Sequence, residues 1–280
     1  VSMAVTPGKQ SGRKKKRDPE GRMRLVEHLV EFRNRLFKSA IGIVIGMVAG
    51  YFLTDPVLDL IRQPIEILEA TREGRVSINF SNVTTGFDLR MQIALTLGIV
   101  ISSPVWLYQT WMFLMPGLKK GERRYIVGFL GSAIPLFLGG VVLGFMLMPR
   151  MVQVMAMFVP EQDTVFYDAK TYYTFVLTLC LAVGVAFVVP VILVMLNFAG
   201  VLSGKAILSG WRWAILISAL FGAISTPAAD VLSMVLLMLP MIALYFIATG
   251  IALLHDKRQA KRDAKLRENL LPSTELSEEN

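Results

Sequence analysis

The chain has 280 residues, of which 54% are hydrophobic and 18% charged, and its formal net charge is +8. Soluble domains keep roughly a quarter of their residues charged. Here the charges gather in short segments between long apolar runs, which excludes a water-soluble core and describes an all-α, polytopic membrane protein. The pI of about 9.7 is explained by that clustering and calls for no nucleic acid.

Residues 1–22 form a basic arm with Arg13-Lys14-Lys15-Lys16-Arg17. It has too few apolar groups to fold, and reads as a disordered cytoplasmic tail drawn to anionic lipid. No cleavable signal peptide is expected, because the first apolar run lies behind this arm without a small-residue cleavage pattern. The membrane domain is placed at residues 23–255. It opens on His28-Leu29-Val30-Glu31-Phe32-Arg33-Asn34-Arg35. Leu25, Leu29, Phe32 and Leu36 fall on one helical stripe, and Glu27, Glu31, Asn34 and Lys38 on the other. That pattern predicts a helix lying in a membrane surface and then entering the bilayer.

Six apolar stretches follow, near 37–54, 87–115, 125–148, 172–197, 211–226 and 231–254. A crossing helix needs roughly 20 residues, so a bundle of six transmembrane helices is predicted. The second stretch is long and carries Pro104, which predicts a kink or tilt. The fifth is short, bounded by Gly210 and Pro227. The two larger loops between spans are acidic, and each is expected to hold a short interfacial helix. One is built on Val57, Leu58, Ile61, Ile65 and Leu68, the other on Met151, Val154, Met155 and Phe158. The tail at 256–280 is highly charged and reads as solvated.

Most of the 29 Lys and Arg lie before the first span, at Lys119, Lys120, Arg123 and Arg124, at Lys205 and Arg212, and from Lys257 to Arg267. The positive-inside rule puts both termini and these two loops in the cytoplasm.

Catalytic chemistry is missing. Gly200–Ala206 has the wrong spacing for a phosphate loop. His28 and His255 lack metal-ligand spacing, and Cys180, the only cysteine, reads as a small buried hydrophobe. No cofactor or metal is expected. No span has an ionisable residue in its middle, where pumps and ion-coupled carriers place theirs. Two acids, Glu31 and Glu122, fall on the cytoplasmic side among basic neighbours. Each could accept paired hydrogen bonds from a guanidinium. The plainer alternative is that Glu31 pairs with Arg35 at i,i+4, worth about 0.3–0.5 kcal/mol, and Glu122 with the arginines beside it. A small-solute secondary transporter is the competing class; it would have only uncharged Gln, Ser, Thr and Asn for a midplane site.

The motifs carry a resemblance. His28-Leu29-x-Glu31-x-Arg33-x-Arg35 is followed by Ser103-Pro104-x-x-x-Tyr108-Gln109-x-Trp111-x-Phe113. Then come Pro116-Gly117-Leu118 with Glu122-Arg123-Arg124, Phe187-x-x-Pro190-Val191, and Thr226-Pro227 with Asp230. In this order the chain resembles TatC, the polytopic receptor of the twin-arginine protein translocase, over about residues 25–255. The resemblance implies a non-enzymatic receptor in the inner cell membrane. It would bind the Arg-Arg pair of signal peptides on folded cargo, self-associate, and recruit single-span TatA/TatB-type subunits for export driven by the proton motive force. It implies that Glu31 and Glu122 meet the two arginines, with Arg33 in support. It also implies that His28, Gln109 and Phe113 lie near that site and that Asp230 is a sensitive acid at the outer turn. Asp230 reads equally as a cap on the sixth helix. Two departures stand out: Phe32 replaces a usual Leu, and Val188 occupies a position where many members carry an intramembrane Glu.

Overall fold

A computed structural model describes residues 25–71, 76–114, 123–160, 163–225 and 231–270. Among them are nine helices and two short strands. Helix α1 (Leu25–Tyr51) is followed by α2 (Thr54–Thr71), bent from it by 73°. The bend has a local cause. The Thr54 hydroxyl donates to Tyr51 O at 2.8 Å, filling an orphan carbonyl at the end of α1, and Pro56 sits in the first turn of α2, where a missing N–H is harmless. Helices α3 (Thr85–Ile101) and α4 (Ser103–Leu114) form a second bent pair, at 59°. The kink predicted from Pro104 is thus a break at Ser102. Trp106 Nε1 donates to Ile99 O at 2.9 Å across it, so the break leaves that carbonyl satisfied.

Helices α5 (Arg123–Met157) and α6 (Ala169–Phe198) are long and unbroken. Then come the short α7 (Gly204–Ser209), α8 (Trp211–Ser225) and α9 (Val231–Leu270). By length and apolarity α5, α6 and α9 could each cross a membrane, and counting each bent pair as one span brings the number to five. The 15 residues of α8 reach only about 22 Å at 1.5 Å per residue, against an average hydrocarbon thickness of about 30 Å.

Close backbone crossings hold the bundle together. On α1, Gly42, Gly46 and Gly50 recur every fourth residue, and a Cβ on Gly46 would lie 2.6 Å from Gly98 O of α3. Small residues let helices approach where lipid removes any hydrophobic incentive to associate. Helices α5 and α6 do the same at Gly140 and Gly184. Two apolar clusters fill the interior. One, around Ile61, Ile93, Met148, Tyr173 and Val176, lies toward the start of α6. The other, around Leu107, Trp111, Phe129, Phe137 and Val188, lies toward its end.

One expectation about the larger loops needs correction. Met151, Val154 and Met155 do not form a separate interfacial helix but continue α5 past Pro149. Met148, Met151 and Val152 are buried in the first cluster, and this burial outweighs the hydrogen bond that proline removes. The loops also contain strands: β1 (Val76–Asn79) pairs in parallel with β2 (Val165–Asp168), Val76 opposite Val165. The first loop does carry an amphipathic helix, α2, with Ile61 and Ile65 buried. Tyr172 of α6 donates to Ile61 O at 2.8 Å, fixing it to the bundle.

Candidate functional site

The break at Ser102 has a consequence at the far end of α4. It swings this helix so that Gln109 and Phe113, one turn apart, meet the first turns of α1. There His28, Glu31, Phe32 and Arg35 share one helical face, at i, i+3, i+4 and i+7. The His28 ring stacks on Phe113 with centroids 4.5 Å apart and planes 17° from parallel. Phe32 tilts against the same ring at 5.1 Å. One turn further along, Arg35 Nε donates to Glu31 Oε1 at 3.0 Å, Nη2 reaches the same oxygen, and Nη1 lies 3.4 Å from Gln109 Oε1. The Arg35 and Glu31 side chains are 17% and 22% exposed. This pair is therefore sheltered between two helices, unlike an ordinary i,i+4 pair in open solvent.

Four of the predicted site residues are brought together here: His28, Glu31, Gln109 and Phe113. Arg33 points elsewhere; it is exposed, with Nη2 3.5 Å from Asn34 Oδ1. Glu122 lies outside the described residues, between Leu114 of α4 and Arg123 of α5. Asp230 also lies outside them, between Ser225 of α8 and Val231 of α9. Reasoning from the sequence missed the part played by Arg35, which it treated only as a helix-stabilising neighbour. Its four-residue spacing from Glu31 was visible; its reach to Gln109, 74 positions away, was not.

A second polar contact lies at the same end of the bundle. Asp256 accepts from Asn197 Nδ2 at 2.8 Å and from Gly204 N at 2.6 Å. These two hydrogen bonds, Asn197 first, hold its carboxyl below the usual carboxylate range. They fasten α9 to the end of α6 and the start of α7. At the opposite end Asp168 caps α6 by accepting from Thr171 N at 2.9 Å, and Ser81 donates to it from the β1 side. The hydrogen bonds from Ser81 and then Thr171 depress its pKa. Among the described residues no cluster of three His, Cys, Asp or Glu could hold a metal.

Residues 27–240 match the family model described as Sec-independent protein translocase protein (TatC). The chain belongs to the TatC family. A TatC of Xylanimonas cellulosilytica is 44% identical over 93% of this chain and 92% of its own length. One from Rothia mucilaginosa is 38% identical over 92% and 88%. A crystal structure described as the twin arginine translocase receptor TatC in detergent superposes with a TM-score of 0.71. It shares 31% identity and covers 81% of this chain and 99% of its own. The chain is therefore a subunit of the Sec-independent, twin-arginine translocase, a multi-pass membrane protein and not an enzyme. This sets aside the small-solute carrier as the working alternative. Within this TatC chain Val188 is 4% exposed and packed in the apolar cluster with Trp111 and Phe137. A glutamate there would need a buried partner of its own.

Proposed function

We propose that this chain is the signal-peptide receptor of its translocase. It binds the paired arginines of signal peptides on folded cargo at the end of the bundle that carries His28, Glu31 and Phe113, and that end faces the cytoplasm. One observation carries the reading: a guanidinium is already seated on Glu31, within a half-buried recess walled by α4. A carboxylate held there by Arg35, whose guanidinium also reaches Gln109, accepts a planar fork better than an ammonium. Glu122, in the neighbouring segment, is the second anion of the clamp. Both chain termini lie on this side, as the basic segments around Lys38, Lys205 and Lys257 indicate. The bundle crosses the inner membrane six times, with α8 as the short fifth span. Single-span TatA/TatB-type subunits dock against the apolar surfaces of α8 and α9, copies of the chain associate, and the proton motive force drives export.

A partly desolvated hydrogen bond to a charged group is worth about 1.5–3 kcal/mol, and about 1.4 kcal/mol is a factor of ten. Glu31→Gln or Glu122→Gln should therefore weaken twin-arginine peptide binding by roughly tenfold to a hundredfold. Export of twin-arginine cargo should stop while membrane insertion is unchanged. Site-specific crosslinking of such a peptide to positions around Glu31 tests this; normal crosslinking in the double neutral variant refutes the clamp.

A further inference from the structure

The carboxylate of Glu31 is not bare. Two donors of Arg35, Nε and Nη2, converge on its Oε1. The third contact of the same guanidinium, Nη1 to Gln109 Oε1 at 3.4 Å, crosses to another helix. The Arg35 side chain is only 17% exposed, although arginine is among the residues least often buried. A signal-peptide arginine that sought Glu31 would find a guanidinium already there, using the same planar fork.

We infer that Arg35 is an internal stand-in for the peptide's arginine, and that the signal peptide binds by guanidinium exchange at Glu31. The inference rests on the receptor reading above and adds an affinity threshold to it. Exchange of one guanidinium for another remakes the bonds it breaks, so occupation by Arg35 takes away part of the affinity that Glu31 would otherwise give an arginine. An incoming lysine fares worse, because an ammonium has no fork with which to replace the two converging donors. Net affinity then depends on a second arginine reaching a second anion. A self-occupied carboxylate thereby lowers the affinity of every ligand of this position by one factor, which keeps peptides with a single arginine, lacking the second contact, below useful binding. Gln109 supplies the resting place: its Oε1 is already beside Nη1, so the displaced Arg35 keeps one partner.

The apparent dissociation constant of a site is its intrinsic value divided by the fraction of time the site is open. If Arg35 holds Glu31 for about nine-tenths of the time, its removal tightens binding about tenfold. The test titrates the purified full-length protein in detergent with fluorescent peptides carrying Arg-Arg, Lys-Arg or Arg-Lys. Arg35→Gln is expected to bind all three peptides about tenfold tighter, because the same open fraction divides every intrinsic constant. Arg35→Lys is expected to lie between Arg35→Gln and the unaltered protein. If Arg35 only supports the fold, all three peptides weaken instead of tightening; that result overturns the exchange. A second readout needs no variant. Labelling of Arg35 by phenylglyoxal, followed by mass spectrometry, should rise when saturating Arg-Arg peptide is added to the unaltered protein. Unchanged or reduced labelling overturns the exchange even if Arg35→Gln fails to fold. Glu31→Gln separates the two levels. If it binds peptide normally even in the Arg35→Gln background, where Glu31 is open, the receptor reading falls and the exchange with it. If it loses binding while Arg35→Gln weakens all peptides alike, only the exchange falls.

Discussion

Phe113 holds two rings of α1, His28 at 4.5 Å and Phe32 at 5.1 Å. Such pairs contribute about 0.5–1.5 kcal/mol each beyond the area they bury. Phe113→Ala should therefore release the first turns of α1 from α4. Hydrogen exchange of amides 28–35 should become faster, and binding of a twin-arginine peptide should weaken several-fold, with Phe113→Tyr close to the unaltered protein. Unchanged exchange would mean that these rings merely touch. The residue types at this spot were readable along the chain: a histidine, a carboxylate and an arginine at helical spacing, then Gln109 and Phe113 one turn apart. That the arginine of the first segment would bridge to the glutamine of the second was not readable. Nothing in either local pattern specifies a contact across 74 positions.

At the scale of elements, the crossing of α1 and α3 sets where the site can form. A Cβ on Gly98 would lie 2.7 Å from Met47 N and 2.9 Å from Ile43 O. Backbone cannot yield as a flexible side chain can, so the helices must separate, and overpacking of this kind costs about 1–3 kcal/mol. Gly98→Ala should lower the thermal midpoint in detergent by several degrees and weaken peptide binding with it, since α4 follows α3 directly. Gly139→Ala, with open space around it, should leave both unchanged. If Gly98→Ala melts like the unaltered protein, this crossing does not position α4. Pro104 announced a kink, because proline removes a helix hydrogen bond, but the 59° angle that brings α4 against the start of α1 was not in that signal. Pro149 sent the opposite signal. The third apolar stretch stops just before it, near 148, yet α5 continues to Met157 because the following turns bury Met151 and Val152. The four-residue strands gave no periodicity long enough to recognise.

At the scale of the whole molecule, the contacts place the start of α1, the end of α4, the end of α6 and residue Asp256 of α9 at one end of the bundle. The paired strands and α2 lie at the other. If the first end is cytoplasmic, Gln259→Cys should react with a membrane-impermeant maleimide only in inverted vesicles. Phe166→Cys, at a residue 69% exposed on β2, should react only in intact spheroplasts. The native Cys180 is buried and should stay silent in both. Reversed labelling would invert the orientation and remove Glu31 from the side where folded cargo waits.

The class of molecule, the approximate places of its helices and the family to which it belongs were legible along the chain. Those properties are carried by apolar run length, charge clustering and short motifs, all local along the chain. Tertiary structure alone decided the bend of α4, the strand pairing and the occupation of Glu31 by Arg35. Each of these depends on backbones brought within a few ångströms from distant positions, and close packing in three dimensions leaves no periodic trace in one.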